Sequence, residues 1–290
     1  MMGSGDSDTV SYASRLARLT AQSVEGDYNA FTRFKWVDEM PENQWWMSRE
    51  LMSVHDTPLA ESLPEVTLQR LSRWESINFY SLNIHGIREL LVEISRRLHA
   101  PGYELQAEFF HRFLGEENDH MWFFAQFCRR YGKIYPDKTV KFPPSRLLDT
   151  PDIETLLIFC RILIFEEIVD HFNMRMGRDE SLHPLIQEIN AVHHEDESRH
   201  IAGGREVIKR HWESMRGALS PAQTEAIDNY LKAFLTSSIE SLYNAAAYAD
   251  AGVEEPFKRR NEVRNSPGRK KHHRAFIKRS TFFLNQIGIF

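Results

Sequence analysis

From residue 65 onward, hydrophobic residues recur every three or four positions, which is the spacing of one face of an α-helix. Pro101-Gly102, Gly132 and Ser220-Pro221 interrupt this pattern where helix boundaries are expected. The pattern predicts five long helices: 65–98, about 103–131, about 152–176, Pro184 to about Met215, and about 221–248. Strand-like alternation does not appear over any length, so we predict an all-α fold built on a helical bundle.

The third predicted helix is apolar nearly all round between Leu156 and Val169. A helix without a polar face is expected to be buried. The exceptions are Arg161 and the adjacent pair Glu166 and Glu167. Burying an ionised carboxylate costs free energy unless a cation compensates it. We therefore expect at least one of the two glutamates to bind a cation, and helical periodicity does not distinguish them.

The fourth predicted helix contains His193, Glu197 and His200, spaced four and then three residues apart. This spacing places two imidazoles and a carboxylate on one helix face. Glu117 and His120 repeat the Glu-x-x-His pattern on the second helix. One Glu-x-x-His from each of two helices, with a Glu from each of two others, is the ligand set of dinuclear metal sites in helical bundles.

Each motif has an acidic neighbour, Glu116 before Glu117 and Asp196 before Glu197. A metal-binding histidine usually donates its second ring N–H to a carboxylate or carbonyl. We expect Asp196 and Glu116 to fill this role, each toward the histidine of the other helix.

The first predicted helix must supply the last carboxylate. If the hairpin turns near residue 101, Glu117 lies opposite residue 85, so Glu89 is about one turn away. Glu75 and Glu93 lie further off. Glu89 is therefore the predicted ligand, with His85 as the alternative.

The predicted set exceeds what one ion needs, so we predict a dinuclear centre. Imidazole and carboxylate together favour a transition metal, with two iron ions as the first choice and manganese as the second. Structural zinc would usually take thiolates, and Cys128 and Cys160 are not placed to serve. No catalytic residue beyond the metal ligands, and no organic cofactor site, is predicted.

Composition indicates which partners and which cellular location to expect. The chain of 290 residues has a net charge of −5, which gives no reason to expect nucleic-acid binding. Two cysteines in apolar helical patterns indicate a reducing compartment, and we expect a cytoplasmic location. The start of the chain is polar and no apolar run reaches 18 residues, so neither a secretory signal nor membrane association is expected.

We divide the chain into an N-terminal segment (1–62) that packs on the bundle, a helical bundle domain (63–250) and a basic C-terminal tail (251–290). The first eight residues are expected to be disordered, and residues 31–62 to be irregular with short helices. Ten Lys/Arg and one Glu lie between Lys258 and Arg279. This basic run binds an anionic partner or, more often, is solvated or packs on an acidic body.

With these motifs the chain resembles the p-aminobenzoate N-oxygenase family, whose members are di-iron enzymes with a ferritin-like bundle. The features of that family are the paired Glu-x-x-His, a third histidine at His193, and a glutamate 27 residues earlier, which is Glu166 here. The resemblance covers residues 65–215. It departs at the first helix, because the family glutamate lies further before the second-helix motif than Glu89 does.

The resemblance implies O₂-dependent oxidation of an amine, most readily an aryl amine, toward a hydroxylamine, nitroso or nitro product. It also implies metal ligands at Glu117, His120, Glu166, His193, Glu197 and His200, to which the hairpin geometry adds Glu89. A small-molecule amine, an external electron donor (ferredoxin or reductase) and a homodimer are the expected partners. The alternatives are a di-iron oxygenase acting on carbon, by hydroxylation or desaturation, and a non-enzymatic iron-binding protein.

Overall fold

The computed structural model describes residues 4–41, 43–137 and 146–290. In these residues the secondary structure is helical, apart from an isolated bridge between Trp45 and Leu182. The α-helices are α1 (Ser4–Glu25), α2 (Ala30–Arg33), α3 (Pro58–Ser62), α4 (Glu65–Arg97), α5 (Ala107–Tyr131), α6 (Pro151–Met176), α7 (Pro184–Met215), α8 (Pro221–Ser241), α9 (Ala245–Asp250), α10 (Pro256–Asn265), α11 (Pro267–Phe276) and α12 (Lys278–Ile287). The predicted all-α fold is confirmed.

Helices α4 to α7 form the bundle as two antiparallel hairpins. In the first, Cys128 Sγ lies 3.8 Å from the carbonyl oxygen of Ile77, and the ring of Tyr80 stacks on that of Phe124. In the second, Gly177, the residue that caps the end of α6, lies against the backbone of Ala191 of α7. Aromatic and aliphatic side chains of all four helices fill one core.

Local sequence accounts for several helix starts. The side chain of Thr150 accepts a hydrogen bond from Ile153 N before Pro151 begins α6. Ser220 and Gln223 form a capping box at the start of α8. The predicted fifth helix is interrupted after α8, where Asn244 caps α9 and its amide donates to Asn78 Oδ1 at 2.8 Å.

The N-terminus differs from the expectation of disorder over eight residues. Helix α1 begins at Ser4, and its apolar residues Tyr12, Leu16 and Leu19 are buried in the core. Residues 1–3 lie outside the described part of the chain. Short helices do occur in 31–62, as expected, and residues 138–145 of the proline-containing connection are also outside the described ranges.

The basic C-terminal tail packs on the acidic bundle. Arg269 is buried and donates to the carbonyl oxygens of Met52 and His55 at 3.1 Å. Arg279 pairs with Asp170 of α6, and Trp212 of α7 donates to the Ile287 carbonyl at 2.9 Å. For Arg269 and Arg279, the intramolecular interpretation of the basic run therefore applies. Across the described helices, none has both the length and the apolarity to cross a membrane.

Candidate metal centre

The two Glu-x-x-His motifs meet inside the bundle, because α5 and α7 pass each other with their motif faces turned inward. Ligand atoms of Glu117, His120, Glu197 and His200 all lie within 4.8 Å of one another, and all four side chains are buried. Nδ1 of His120 is 3.3 Å from Glu117 Oε1, and Nδ1 of His200 is 2.8 Å from the same oxygen. The two motifs, which are far apart in the sequence, therefore form one cluster of ligand atoms in the structure.

The third histidine joins this cluster. His193 Nε2 lies 2.7 Å from Glu197 Oε1, and its ring is packed edge-on to that of His120 at 4.3 Å between centroids. His193 is buried as deeply as the other two histidines. Three imidazoles therefore surround two buried carboxylates.

The pair Glu166 and Glu167 on α6 separates into two roles. Glu167 accepts hydrogen bonds from Arg205 and, at 2.7 Å, from Ser280, so its charge is already compensated. Glu166 is also buried, and its Oε1 has no hydrogen-bond partner among the described residues. Burial and the nearby charge of Glu197 raise the pKa of Glu166 well above its usual range. The structure thus places Glu166, and not Glu167, beside the cluster.

Glu89 does not join the cluster. It is an exposed side chain 3.7 Å from Arg88. The prediction considered its level along α4 but not its angle around the helix axis, and Glu89 lies on the outer side. The alternative, His85, is bonded through Nε2 to the carbonyl oxygen of Tyr135 at 2.7 Å.

The outer partners expected for two histidines are confirmed. His120 Nε2–H donates to Asp196 Oδ2 at 3.0 Å, and His200 Nε2–H donates to Glu116 Oε2 at 2.8 Å. Each acid is on the other helix from the histidine it binds. These bonds direct Nδ1 of both rings toward the carboxylates of the cluster.

Asn173 is the corresponding partner of His193 and was not identified from the sequence. Its amide lies 2.6 Å from His193 Nδ1. Asn173 Oδ1 has no other partner within the described chain, and amide O and N are interchangeable by rotation. With the oxygen turned toward the ring, Nδ1–H donates to Asn173 and Nε2 is left to bind a metal.

Helix α1, the loop that follows it and Arg199 hold Glu116 and Asp196 in place. Ser23 donates to Glu116 Oε1 at 2.7 Å, and the Tyr28 hydroxyl donates to Asp196 Oδ2 at 3.1 Å. The guanidinium of Arg199 bonds both Glu116 and Asp196. Arg199 lies within the motif, one residue before His200. This position is the sequence feature that could have identified it as a residue of the site. Nothing in the local sequence of α1 or of the loop after it indicates that Ser23 and Tyr28 reach Glu116 and Asp196.

The donor atoms of the cluster fit divalent cations. Among the described residues, Glu117 Oε2, Glu166 Oε1, Glu197 Oε2, His193 Nε2 and His200 Nδ1 are buried without a well-oriented hydrogen bond. Burial opposes protonation of His120, yet Glu117 and Asp196 raise its pKa to about 10. Clustered negative charge thus favours a cation at this point, either a proton or a metal ion.

Aromatic rings enclose the cluster. Phe113 lies 4.5 Å from the ring of His200, and Phe124 lies 4.8 Å from that of His193, between centroids. A groove with a volume of ≈ 510 Å³ lies between α4 and α6 and is also lined by α8. Asn83, Phe165, Ile168 and Val169 are among its lining residues, so it comes within one helical turn of Glu166.

These features define a ferritin-like helical bundle with a buried centre of carboxylates and histidines. The chain belongs to the p-aminobenzoate N-oxygenase AurF family, whose model matches residues 9–288.

Individual relatives are more distant. Uncharacterized protein Rv0885 of Mycobacterium tuberculosis (strain ATCC 25618 / H37Rv) is 21% identical over 273 residues, covering 89% of this chain and 76% of that protein. Uncharacterized protein Mb0909 of Mycobacterium bovis gives the same values. Among solved structures, a mutant of an R2-like ligand-binding oxidase with an aerobically reconstituted Mn/Fe cofactor matches with a TM-score of 0.53. It is 13% identical, and the match covers 95% of this chain and 94% of that one. This likeness supports the ferritin-like fold.

Proposed function

We propose that this protein is a di-iron, O₂-dependent N-oxygenase that oxidises an amine, with aryl amines as the first candidates. The observation that carries the proposal is the buried set Glu117, His120, Glu166, His193, Glu197 and His200. Its donor atoms converge in the interior, on the motif positions of a family described by amine N-oxygenation. In the first oxidation, an amine, O₂, two electrons and two protons give a hydroxylamine and water.

The six side chains would hold the two metal ions, and those ions would supply the redox chemistry that activates O₂. Iron is our first choice and manganese our second. The protein contributes the positions of the donors. Asp196, Glu116 and Asn173 fix the ring orientation of the three histidines, so that one nitrogen of each ring faces inward.

Packed aromatic rings exclude water from the metal centre. Phe113 and Phe124 cover the histidines, and Tyr80 stacks on Phe124 at 5.0 Å. Exclusion of water strengthens every charge interaction in the site and protects a reactive oxidant from side reactions. Since each ring also packs the core, the same residues serve stability and chemistry.

The groove between α4 and α6 is our candidate for amine binding. Its volume, ≈ 510 Å³, is within the range of small-molecule sites, and apolar side chains form much of its wall. A flat aromatic amine suits this lining. Electrons would come from an external donor, either a ferredoxin or a reductase, and we propose that the protein acts as a homodimer.

The test is O₂ consumption by protein loaded anaerobically with Fe²⁺, given a chemical reductant and a panel of aryl and alkyl amines. We expect a hydroxylamine, nitroso or nitro product that contains ¹⁸O from ¹⁸O₂ bonded to nitrogen. Glu197→Gln protein, loaded identically, is the control for adventitious iron and is expected to be inactive. A product oxygenated on carbon would favour hydroxylation, and absence of O₂ uptake with every amine would contradict the proposal.

A further inference from the structure

The exclusion of Glu89 raises the question of what α4 contributes to the centre. Tyr80 of α4 stacks on Phe124, so the next turn of α4 reaches the level of His120 one turn back along α5. A Cβ on Gly86 would lie 2.4 Å from the ring of Phe165, the neighbour of Glu166. Residues 83–87 are therefore level with the centre.

Within α4, which the structure describes throughout, all four carboxylates are accounted for elsewhere. Glu65 lies 3.3 Å from Arg49, Glu89 lies 3.7 Å from Arg88, and Glu93 pairs with Arg97 at 3.0 Å. Glu75 is buried, but it accepts hydrogen bonds from Ser53 and precedes Asn83 by two turns, about 12 Å. No carboxylate of α4 therefore reaches the centre.

Of residues 83–87, the buried ones are Asn83, Ile84 and Ile87. Asn83 is the polar one, with 0% of its surface exposed. Its Nδ2 donates to the Phe79 carbonyl at 2.9 Å, whereas its Oδ1 has no hydrogen-bond partner in the described part of the chain. An amide oxygen is a neutral ligand for hard cations, and a buried one without a partner is an unusual feature.

We infer that α4 contributes the neutral amide of Asn83 instead of a carboxylate, and that the two metal ions are consequently held with unequal affinity. This inference rests on the proposed two-metal centre. Helices α6 and α7 supply two carboxylates and two imidazoles (Glu166, His193, Glu197 and His200). Helices α4 and α5 supply one carboxylate, one imidazole and one amide (Glu117, His120 and Asn83). An ion held mainly by α4 and α5 would have fewer charged ligands, so we expect it to be the more weakly bound of the two.

This arrangement has a consequence for substrate approach. Asn83 also lines the groove between α4 and α6. An ion held through Asn83 would thus lie beside the groove, and three carboxylates would balance two divalent cations only in part. An anionic or neutral molecule from the groove can complete the ligand set of that ion.

The experiment is a titration of the metal-free full-length chain with Mn²⁺ and, anaerobically, with Fe²⁺. Bound metal is measured by equilibrium dialysis and elemental analysis, and free Mn²⁺ by electron paramagnetic resonance. We expect one tight ion per chain and a second that binds at least about tenfold more weakly. Asn83→Asp should strengthen the second step by about tenfold or more and leave the first unchanged. Asn83→Leu should weaken or abolish the second step only.

Asn78→Asp is the matched control, because Asn78 is a buried amide on the same helix that is bonded to Asn244. It should leave both binding steps unchanged, with folding of every variant checked by circular dichroism. Two equal steps in the parent protein, unaltered in Asn83→Leu, would overturn the inference and leave the two-metal centre standing. Failure of the parent to bind either metal would overturn the proposed function with it.

Discussion

Asp196 accepts a hydrogen bond from His120 at 3.0 Å, although the two residues are 76 positions apart and on different helices. Asp196 is in turn bonded by Tyr28, in the loop after α1, and by Arg199. These contacts hold the pKa of Asp196 at about 2, since the hydrogen bond and charge of His120 outweigh the effect of burial. Asp196 is therefore a permanent anion that orients the ring of a metal ligand.

Asp196→Asn should weaken metal binding by about 10- to 100-fold, because the amide cannot replace the charge that orients and polarises His120. The measurement is competition with a chelator for Mn²⁺ or Fe²⁺. Glu195→Gln is the control, since Glu195 is exposed on the same helix turn. Equal affinities of Asp196→Asn and parent protein would show that the hydrogen bond has no role in metal binding.

His193→Ala should stay folded and keep much of its metal, because Glu117, His120, Glu197 and His200 remain within 4.8 Å of one another. Turnover should fall by about tenfold or more, because the metal centre loses the neutral imidazole of His193. The measurements are metal content, circular dichroism and O₂ uptake.

His194→Ala is the matched control for that variant. His194 is the next residue, and it bonds Asp170 on the outer side of α6 instead of the centre. Its loss should lower stability without abolishing turnover. If His193→Ala and parent protein turned over equally fast, the functional use of His193 would be wrong.

The helices could be predicted from the sequence because they depend on local periodicity. The meeting of the two Glu-x-x-His motifs could be predicted because the same periodicity puts each motif on one helix face. The 3.6-residue period placed the start of α7 at Pro184, and the Glu-x-x-His spacing fixed which face carries His193, Glu197 and His200. The crossed pairing of Asp196 and Glu116 with the histidines was also accessible, because metal-bound imidazoles need outer acceptors.

The contribution of α4 and the contacts of Ser23 and Tyr28 depend on tertiary geometry, which periodicity does not encode. Glu89 was chosen by its level in the hairpin, whereas the rotation of α4 buries Asn83 and leaves Glu89 exposed. Ser23 and Tyr28 reach Glu116 and Asp196 only because α1 and the loop after it pack against α5 and α7. A contact between residues so distant in the chain has no signature in a single sequence.

Glu166→Gln and Glu167→Gln should change stability in opposite directions. In metal-free protein Glu166 must bind a proton to be buried without an ion-pair partner, which costs free energy wherever a glutamate in the unfolded chain is ionised. Glu166→Gln removes this cost, so the melting temperature at neutral pH should rise, while metal affinity falls. Glu167→Gln removes the charge that pairs with Arg205, so stability should fall by about 1–3 kcal/mol with metal affinity kept. Thermal melts with and without Mn²⁺ measure both effects. Identical behaviour of the two variants would mean that α6 does not divide the roles as described.

Glu75 makes stability depend on pH. Burial raises its pKa to about 7, against the hydrogen bonds from Ser53. Since the folded state binds the proton more tightly than the unfolded chain, the stabilisation is complete below about pH 4.5 and is lost as the pH rises through 7. Between pH 5.5 and 8.5 this group should cost about 2 kcal/mol of unfolding free energy. Glu75→Gln should remove that slope in urea titrations, whereas exposed Glu61→Gln should keep it. A parent and a Glu75→Gln protein with the same pH dependence would place the pKa of Glu75 near its ordinary value.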